Sequence, residues 1–325
     1  MDDAIDFGIE LPPVSIRSFA KRVLPSPLRR GLRKAEAALR VRRLRSVDEL
    51  DSAMNDIEQA FALGDAAVRK AFASVRLMPP RGLPKDPDSA EYREAQFELY
   101  CKISGRARYH TDNEQSPFDL EEAIRTPFPY QTRSPEVVGD QLIAQGCLIK
   151  ALPVKPPADL LEFGPGWGNT TLHFVQMGYR VIAVELDDKF CELVRRRCSA
   201  FADQLSVVQG DMLAYRTDAK FDVVVFFESF HHCADHVQML RNVRELLRPG
   251  GAVLFASEPV ADFPYPWGVR LDGESLWAMR RYGWLELGFD RAYFFRLLRR
   301  EGFRAQRIHN PSLGHISEII VARLS

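Results

Sequence analysis

A glycine-rich turn at residues 164–168 constrains the fold of this chain more than any other stretch. It lies in the run DLLEFGPGWGNTT, residues 159–171, where an apolar segment precedes three glycines at every second position and a helix-capping Asn-Thr-Thr. The glycines are Gly164, Gly166 and Gly168. This pattern predicts a strand, a tight turn and a helix whose first N–H groups bind an anionic or nucleotide-like ligand. An ordinary turn between a strand and a helix is the alternative.

Strand and helix patterns alternate on the C-terminal side of this turn. A helix at 134–152, with Ser134 as N-cap and Pro135 at its first position, delivers the chain to the first strand. We expect strands at 160–163, 180–185, 205–209, 221–227 and 252–257, helices at 169–177, 188–200 and 235–247, and then a helix at 290–300 and strands at 304–309 and 317–324. Such alternation predicts βαβ units and a mostly parallel sheet, which is an α/β fold.

The N-terminal part has a different character, so we divide the chain into a helical extension, 1–130, and a main domain, 131–325. Positive charge dominates an amphipathic helix predicted at 28–45, whose apolar residues recur at helical spacing. Three roles remain open for this basic helix. It packs on the acidic segment 48–58, docks on an anionic membrane surface, or binds nucleic acid.

Composition limits the classes of protein that this chain can belong to. The 44 Lys and Arg residues balance the 44 Asp and Glu residues, so the whole chain gives no strong signal for nucleic acid. The five cysteines form no C-x-x-C pair, and no apolar signal segment leads the chain, which predicts a cytoplasmic protein. No apolar run reaches the roughly 18 residues of a membrane-spanning helix.

The carboxyl ends of the predicted strands carry the candidate cofactor residues, because ligands of open parallel sheets lie at that edge. The ends present Glu162 with the glycine turn, then Glu185, 19 positions after Gly166, and then Asp211 with Met212. Glu185 can accept both hydroxyls of a ribose, and Asp211 the amino group of an adenine that packs on Met212. A dinucleotide would require glycine where Asn169 stands, which favours S-adenosylmethionine as the ligand.

Four motifs in order resemble the class I S-adenosylmethionine-dependent methyltransferases: EFGPGWG, VIAVELD, QGDM and LLRPGGAVLF. The resemblance covers residues 134–325 and implies a Rossmann-like, seven-stranded, mostly parallel sheet with an antiparallel last strand. It also implies S-adenosylmethionine as the cofactor. By this resemblance the methionine part is held by Glu162, Gly164, Gly166 and Gly168, the ribose by Glu185 beside Leu186, and the adenine by Asp211 beside Met212.

The residues after the fourth strand, ESFHH, bear on the acceptor. The family's Asn-Pro-Pro-Tyr motif for amino-group acceptors is absent, which favours a hydroxyl acceptor. A hydroxyl must lose its proton, and the pKa of histidine suits that task. We therefore expect His231 or His232 to be the base and Glu228 to orient it. Structural or cofactor-side histidines are the alternative.

An aromatic insertion at 259–289 follows the fifth strand and holds three of the four tryptophans of the chain. Aromatic faces with interspersed charges suit a sugar, whereas a hydrophobic lid packed on the N-terminal part explains the same composition. The candidate substrate residues are Tyr265, Trp267, Arg270 and Trp277. The segment also resembles a subgroup of bacterial methyltransferases associated with polysaccharide synthesis.

Together these features predict a methyltransferase that acts on an oxygen of a small-molecule or glycan acceptor, with its basic helix at the inner face of the membrane. An RNA or small-metabolite methyltransferase is one alternative, and a non-catalytic scaffold that only binds the cofactor is another. The sequence indicates no metal site.

Overall fold

The computed structural model describes residues 41–126, 132, 134–310 and 317–324. Most of the predicted basic helix, 28–40, lies outside these residues. The C-terminal end of the predicted helix is not helical. Residues Arg42–Leu44 form a strand (β1) that pairs in parallel with Val75–Leu77 (β2). The N-terminal extension is therefore not purely helical. Within the described ranges, no helix is long and apolar enough to cross a membrane.

The N-terminal extension contains α-helices and short 3-10 helices. The helical stretch from residue 47 to 73 is divided at Gly64, where the backbone is left-handed with φ 93°. The α-helices are α1 (Leu50–Phe61), α2 (Asp65–Ala73), α3 (Ala90–Ser104) and α4 (Leu120–Arg125), with short 3-10 helices at Val47–Glu49 and Thr111–Glu114.

A seven-stranded sheet forms the centre of the main domain. Its strands are β3 (Asp159–Phe163), β4 (Arg180–Glu185), β5 (Leu205–Gln209), β6 (Phe221–Phe227), β7 (Leu247–Ala256), β11 (Phe303–Ile308) and β12 (Ile319–Leu324). The order is β11-β12-β7-β6-β3-β4-β5, and β12 runs antiparallel to both of its neighbours. The predicted mostly parallel sheet with an antiparallel last strand is thus confirmed. The strand order reverses at β3, which places the glycine turn at the switch point.

Helices flank this sheet close to their predicted positions. They are α5 (Pro135–Ala151), α6 (Asn169–Gln176), α7 (Asp188–Arg197), α8 (His236–Leu246) and α10 (Arg291–Arg300), with short 3-10 helices at Ser199–Phe201 and Phe230–His232. As predicted, the hydroxyl of Ser134 caps α5 by accepting from the N–H of Val137 at 3.4 Å. β7 begins five residues before the predicted strand, because Leu247 already pairs with Phe221.

The insertion at 259–289 has a small sheet of its own. It contains β8 (Val260–Ala261), β9 (Trp267–Val269), β10 (Leu287–Asp290) and helix α9 (Gly273–Arg281). β10 lies between the other two strands, parallel to β8 and antiparallel to β9.

One hydrophobic core joins the N-terminal extension, the insertion and one face of the large sheet. Its buried members include Tyr92 of α3, Phe226 and Phe255 of the sheet, and Trp267 and Phe289 of the insertion. A second core fills the opposite face of the sheet, beneath α5 and α6. The extension and the insertion therefore pack together on one face of the sheet, close to the carboxyl end of the fourth strand, β6.

Candidate active site

The glycine turn between β3 and α6 uses its three glycines in two ways. All three have left-handed φ angles, of 64°, 49° and 71° in chain order. A Cβ atom at Gly164 would lie 2.7 Å from the Cβ of Ser229, and one at Gly168 would lie 3.0 Å from Cγ2 of Val194. A Cβ atom at Gly166 would meet no atom within 4 Å. Gly164 and Gly168 thus allow close packing, while Gly166 leaves the main chain open to a ligand.

Glu185, at the end of β4, lies beside this turn. Its Oε2 accepts from the N–H of Gly166 at 3.0 Å, and its Oε1 accepts from the N–H groups of Leu186 and Asp187 at 2.7 and 3.1 Å. Burial raises the pKa of Glu185, against the effect of these backbone donors. The residue predicted for the ribose is therefore held rigidly next to the glycine turn.

Glu162 lies beneath the turn and is almost fully buried. The hydroxyl of Thr171 donates to its Oε2 at 2.5 Å, and the hydroxyl of Thr170 donates to its Oε1. Burial raises its pKa to about 7, although both hydroxyls lower it. Because both oxygens bind the start of α6, Glu162 anchors the helix. The contact of Glu162 with the methionine part stays a prediction.

The adenine-side residues follow β5. Oδ1 of Asp211 accepts from the N–H of Leu213 at 2.8 Å, which fixes the carboxylate at the strand end. The Cε atom of Met212 lies 4.0 Å from the position that a Cβ atom of Gly164 would take. The fold thus brings Asp211 and Met212 to the same edge of the sheet as the glycine turn and Glu185.

A segment of the N-terminal extension covers the outer side of the turn. The N–H of Ser116 donates to Oδ2 of Asp187 at 3.1 Å. The ring of Phe118 packs on the rings of Trp167 and Phe190, with centroids 5.1 and 4.7 Å away. These contacts did not follow from the sequence, since no local pattern links residues about 50 to 70 positions apart.

The predicted acceptor side is built around the turn after β6. The hydroxyl of Ser229 donates to the carbonyl oxygen of Phe163 at 2.7 Å, which ties this turn to the end of β3. Nδ1 of the buried His231 lies 2.7 Å from Oε2 of Glu258, within hydrogen-bond distance. Oε1 of Glu258 also accepts from the N–H groups of Ser229 and Phe230, both at 2.8 Å. Burial favours a higher pKa for Glu258, but His231 and these donors hold its pKa below the usual range.

Glu258, and not the predicted Glu228, is therefore the carboxylate that orients His231. Glu258 comes two residues after the end of β7, so reading the end of the fifth strand as closely as the others would have found it. Glu228 instead accepts from the amide of Gln141 at 3.3 Å and has a left-handed φ of 51°. Its side chain is accessible to solvent, as in the wall of a cleft. The surrounding protein still desolvates the carboxylate enough to raise its pKa to about 7.

His232 forms a second histidine–carboxylate pair next to the first. Its ring centroid is 4.2 Å from that of His231, and its Nδ1 lies 3.1 Å from Oε2 of Glu114. Burial lowers the pKa of His232, but Glu114 and two further carboxylates outweigh burial and raise the pKa to about 9. His232 is then protonated at neutral pH, which leaves His231 as the better candidate for a base.

Two of the four predicted substrate residues belong to the hydrophobic core. Trp267 is 1% exposed, and its indole N–H donates to the carbonyl oxygen of Pro87 at 2.7 Å. The hydroxyl of Tyr265 donates to the carbonyl oxygen of Val269, and its ring is buried too. Because Tyr92 of α3 also donates to the carbonyl oxygen of Trp267, this part of the insertion packs on the extension. The prediction that Tyr265 and Trp267 face a substrate is wrong.

The other two residues lie in different surroundings. Trp277 stacks on Phe61 of α1 at 5.0 Å and donates to Oε1 of Glu58 at 2.8 Å, so it also contacts the extension. Arg270 donates to Oε2 of Glu286 at 3.1 Å, and that oxygen is 3.8 Å from Nε2 of His231. Arg270 is thus linked to His231 through Glu286.

Comparison with known proteins assigns the centre of this fold. Residues 161–255 match a family model described as a methyltransferase domain. An 81-residue stretch is 40% identical to the mitochondrial ribosomal RNA small subunit methyltransferase of Arabidopsis thaliana, covering 24% of this chain and 21% of that protein. A 106-residue stretch is 27% identical to an uncharacterized methyltransferase of Bacillus cereus, covering 32% of this chain and 49% of that protein. The chain thus spans between about a fifth and a half of the length of these relatives.

Among solved structures, the glycopeptide N-methyltransferase MtfA complexed with S-adenosyl-L-methionine matches 57% of this chain and 93% of its own, at 21% identity and a TM-score of 0.44. The matched segment 161–255 runs from β3 to β7 and contains the glycine turn, Glu185, Asp211 and the histidine pair. Residues 161–255 therefore match a methyltransferase domain, and they lie on the seven-stranded sheet that the class I resemblance implies.

Proposed function

We propose that this protein transfers the methyl group of S-adenosylmethionine to a hydroxyl oxygen of a polyhydroxylated acceptor, such as a sugar or glycan. The observation that carries the proposal is the buried His231–Glu258 pair, with 2.7 Å between Nδ1 and Oε2. Ser229 joins this pair to the end of β3, directly before the glycine turn. A proton acceptor therefore stands close to the predicted cofactor residues.

The pair suits a hydroxyl acceptor for a chemical reason. When the acceptor oxygen attacks the methyl carbon, the carbon–sulfur bond breaks and the sulfur keeps the electron pair, which yields S-adenosylhomocysteine. The hydroxyl proton must leave as the new carbon–oxygen bond forms. Glu258 accepts a hydrogen bond from the Nδ1–H group of His231, so the unprotonated Nε2 can take the proton of the hydroxyl. Positioning against an already charged methyl donor supplies the remaining rate enhancement.

Polar side chains around the pair support a hydroxyl-rich acceptor. Gln141 of α5 donates to Glu228 at the end of β6, and Arg270 and Glu286 enter from the insertion. Each can donate to or accept from a sugar hydroxyl. Fixed polar groups of this kind orient small ligands in binding sites.

The test is release of S-adenosylhomocysteine by the purified chain with a panel of saccharides, glycan precursors, small phenols and RNA. We expect turnover with a hydroxylated saccharide, and a loss of kcat of about 10²- to 10⁴-fold in His231→Gln. Binding of S-adenosylmethionine should be unchanged in that variant, and His110→Gln, at an exposed histidine, should behave like the natural chain. Cofactor binding without turnover on any acceptor would instead indicate a scaffold.

An RNA methyltransferase is the second candidate, favoured by the 40% identity to a ribosomal RNA methyltransferase over 81 residues. This alternative predicts RNA binding that weakens steeply with salt, whereas a saccharide acceptor predicts little salt dependence. The basic segment 28–45 serves either candidate, since it can bind RNA or hold a cytoplasmic enzyme on the inner membrane surface. Neutralising Arg29, Arg30, Arg33 and Lys34 should abolish liposome binding if the membrane contact exists.

A further inference from the structure

His231, His232 and Glu286 converge on one point of the acceptor side. One ring nitrogen of each histidine and one carboxylate oxygen of Glu286 all lie within 4.8 Å of one another. His231 and Glu286 are buried, and His232 is half-buried. A tetrahedral cation with ligands at about 2.1 Å holds its donor atoms about 3.4 Å apart, so small side-chain rotations bring these atoms to ligand spacing.

The surroundings of both imidazoles are typical of metal ligands. A histidine that binds a metal through one ring nitrogen usually directs the other to a carboxylate, which fixes the tautomer. Nδ1 of His231 lies 2.7 Å from Glu258, and Nδ1 of His232 lies 3.1 Å from Glu114. The His231 contact is a hydrogen bond and the His232 contact is an ion pair, and the second ring nitrogen of each histidine is available for one ligand.

The local charge also favours a cation. Three carboxylates surround the imidazoles, those of Glu114, Glu258 and Glu286. The guanidinium of Arg270 pairs with Glu286 and also with Asp272, so negative charge exceeds positive charge. A carboxylate can share its two oxygens between a guanidinium and a metal ion, so Arg270 is compatible with Glu286 as a ligand.

We propose that His231, His232 and Glu286 bind one divalent first-row transition metal ion, with Glu258 and Glu114 as its outer carboxylates. Two histidines and one carboxylate leave coordination positions open, and an acceptor oxygen can occupy one of them. Imidazole ligands favour zinc, iron or a related metal over magnesium or calcium.

The catalytic part of this proposal rests on the proposed function. A cation bound to the acceptor hydroxyl lowers the pKa of that hydroxyl, so its proton passes to water before the oxygen attacks the methyl carbon. His231 is then a ligand instead of the base. Binding of the metal itself does not depend on the identity of the acceptor, which allows the two proposals to be tested separately.

The experiment is calorimetric titration of the full chain, freed of metal by a chelator, with Zn²⁺ and separately with Mn²⁺, the latter also followed by paramagnetic resonance. We expect one ion per chain. Glu286→Gln and His232→Gln should each weaken binding at least 100-fold, and the outer-carboxylate variant Glu114→Gln about 10- to 100-fold. His110→Gln, an exposed histidine outside the cluster, is the matched control and should bind as the natural chain does. Circular dichroism checks that each variant is folded.

Equal affinity in the natural chain and in folded Glu286→Gln and His232→Gln would overturn the metal site, as would binding far below one ion per chain. Methyl transfer that persists in the presence of a chelator, without metal binding, would retain the proposed function and remove the metal. Metal binding without transfer to any acceptor would retain the site and remove the proposed function.

Discussion

Alanine at Gly164 should destabilise the fold far more than alanine at Gly166, two residues away in the same turn. Both positions have left-handed φ angles, so a side chain at either one costs about 1 to 2 kcal/mol. At Gly164 the new methyl group would also lie 2.7 Å from the Cβ of Ser229, a distance that forces the chain to move. Overpacking of this kind costs about 1 to 3 kcal/mol. Displacing Ser229 also endangers its hydrogen bond to Phe163, which is worth about 1 kcal/mol.

The expected loss is therefore about 3 to 6 kcal/mol for Gly164→Ala and about 1 to 2 kcal/mol for Gly166→Ala. The order reverses for cofactor affinity among folded molecules. A methyl group at Gly166 projects into open space where the ligand approaches the main chain, so we expect at least about a tenfold loss of S-adenosylmethionine affinity, or about 1.4 kcal/mol.

Urea denaturation followed by circular dichroism gives the stabilities, and calorimetric titration with S-adenosylmethionine gives the affinities. Equal destabilisation by the two substitutions would refute the packing argument for Gly164. Natural affinity in Gly166→Ala would refute the assignment of the open side of the turn to the cofactor.

Three further substitutions test the buried groups. The pKa of Glu162 is raised from 4.5 to about 7, so its contribution to the unfolding free energy is complete below pH 4.5 and is lost as the pH rises through 7. The change amounts to about 3 kcal/mol. Glu162→Gln should remove this pH-dependent contribution from the measured unfolding free energy. The pKa of Glu258 is lowered, so its stabilisation is present at neutral pH and is lost in acid. Glu258→Gln should cost about 3 to 5 kcal/mol of stability at pH 7, because His231 and the backbone donors lose their carboxylate. In thermal melts the stability difference between the natural chain and this variant should be smaller at pH 4 than at pH 7. Trp267→Ala should cost about 3 to 5 kcal/mol of stability in urea denaturation, and cofactor affinity in the folded protein should not change. Substitution of a tryptophan that faces the substrate would instead weaken acceptor binding and hardly change stability.

Short-range patterns were sufficient to predict where the candidate cofactor residues lie in the fold. The turn at 164–168, Glu185 and Asp211 were predicted because each directly follows a strand that is recognisable from its own residues. Parallel strands bring their carboxyl ends to one edge, so the spacing along the chain became proximity in space. The position of Glu162 was predicted on the same grounds, but its two bonds to Thr170 and Thr171 depend on how α6 packs on the sheet.

Longer-range expectations were less successful. Trp267 and Tyr265 were interpreted as substrate residues because aromatic side chains suit both sugars and cores, and burial decides between the two. Burial depends on α3, about 170 positions earlier in the chain, whose Tyr92 packs against Trp267. The strand at Arg42–Leu44 was missed for a similar reason, since its partner strand, Val75–Leu77, lies about 30 residues away.

The sequence by itself determined the class of fold and the gathering of the candidate cofactor residues at one edge of the sheet, because these depend on local periodicity and on residues next to each strand. Only the tertiary structure decided the acceptor side. Glu258 follows β7, which is next to β6 in the sheet, but Glu114 comes from the extension and Glu286 from the insertion. Those two carboxylates reach His232 and His231 through long-range packing, which no local pattern encodes. The partners of a histidine determine whether it serves as a base, a fixed cation or a metal ligand.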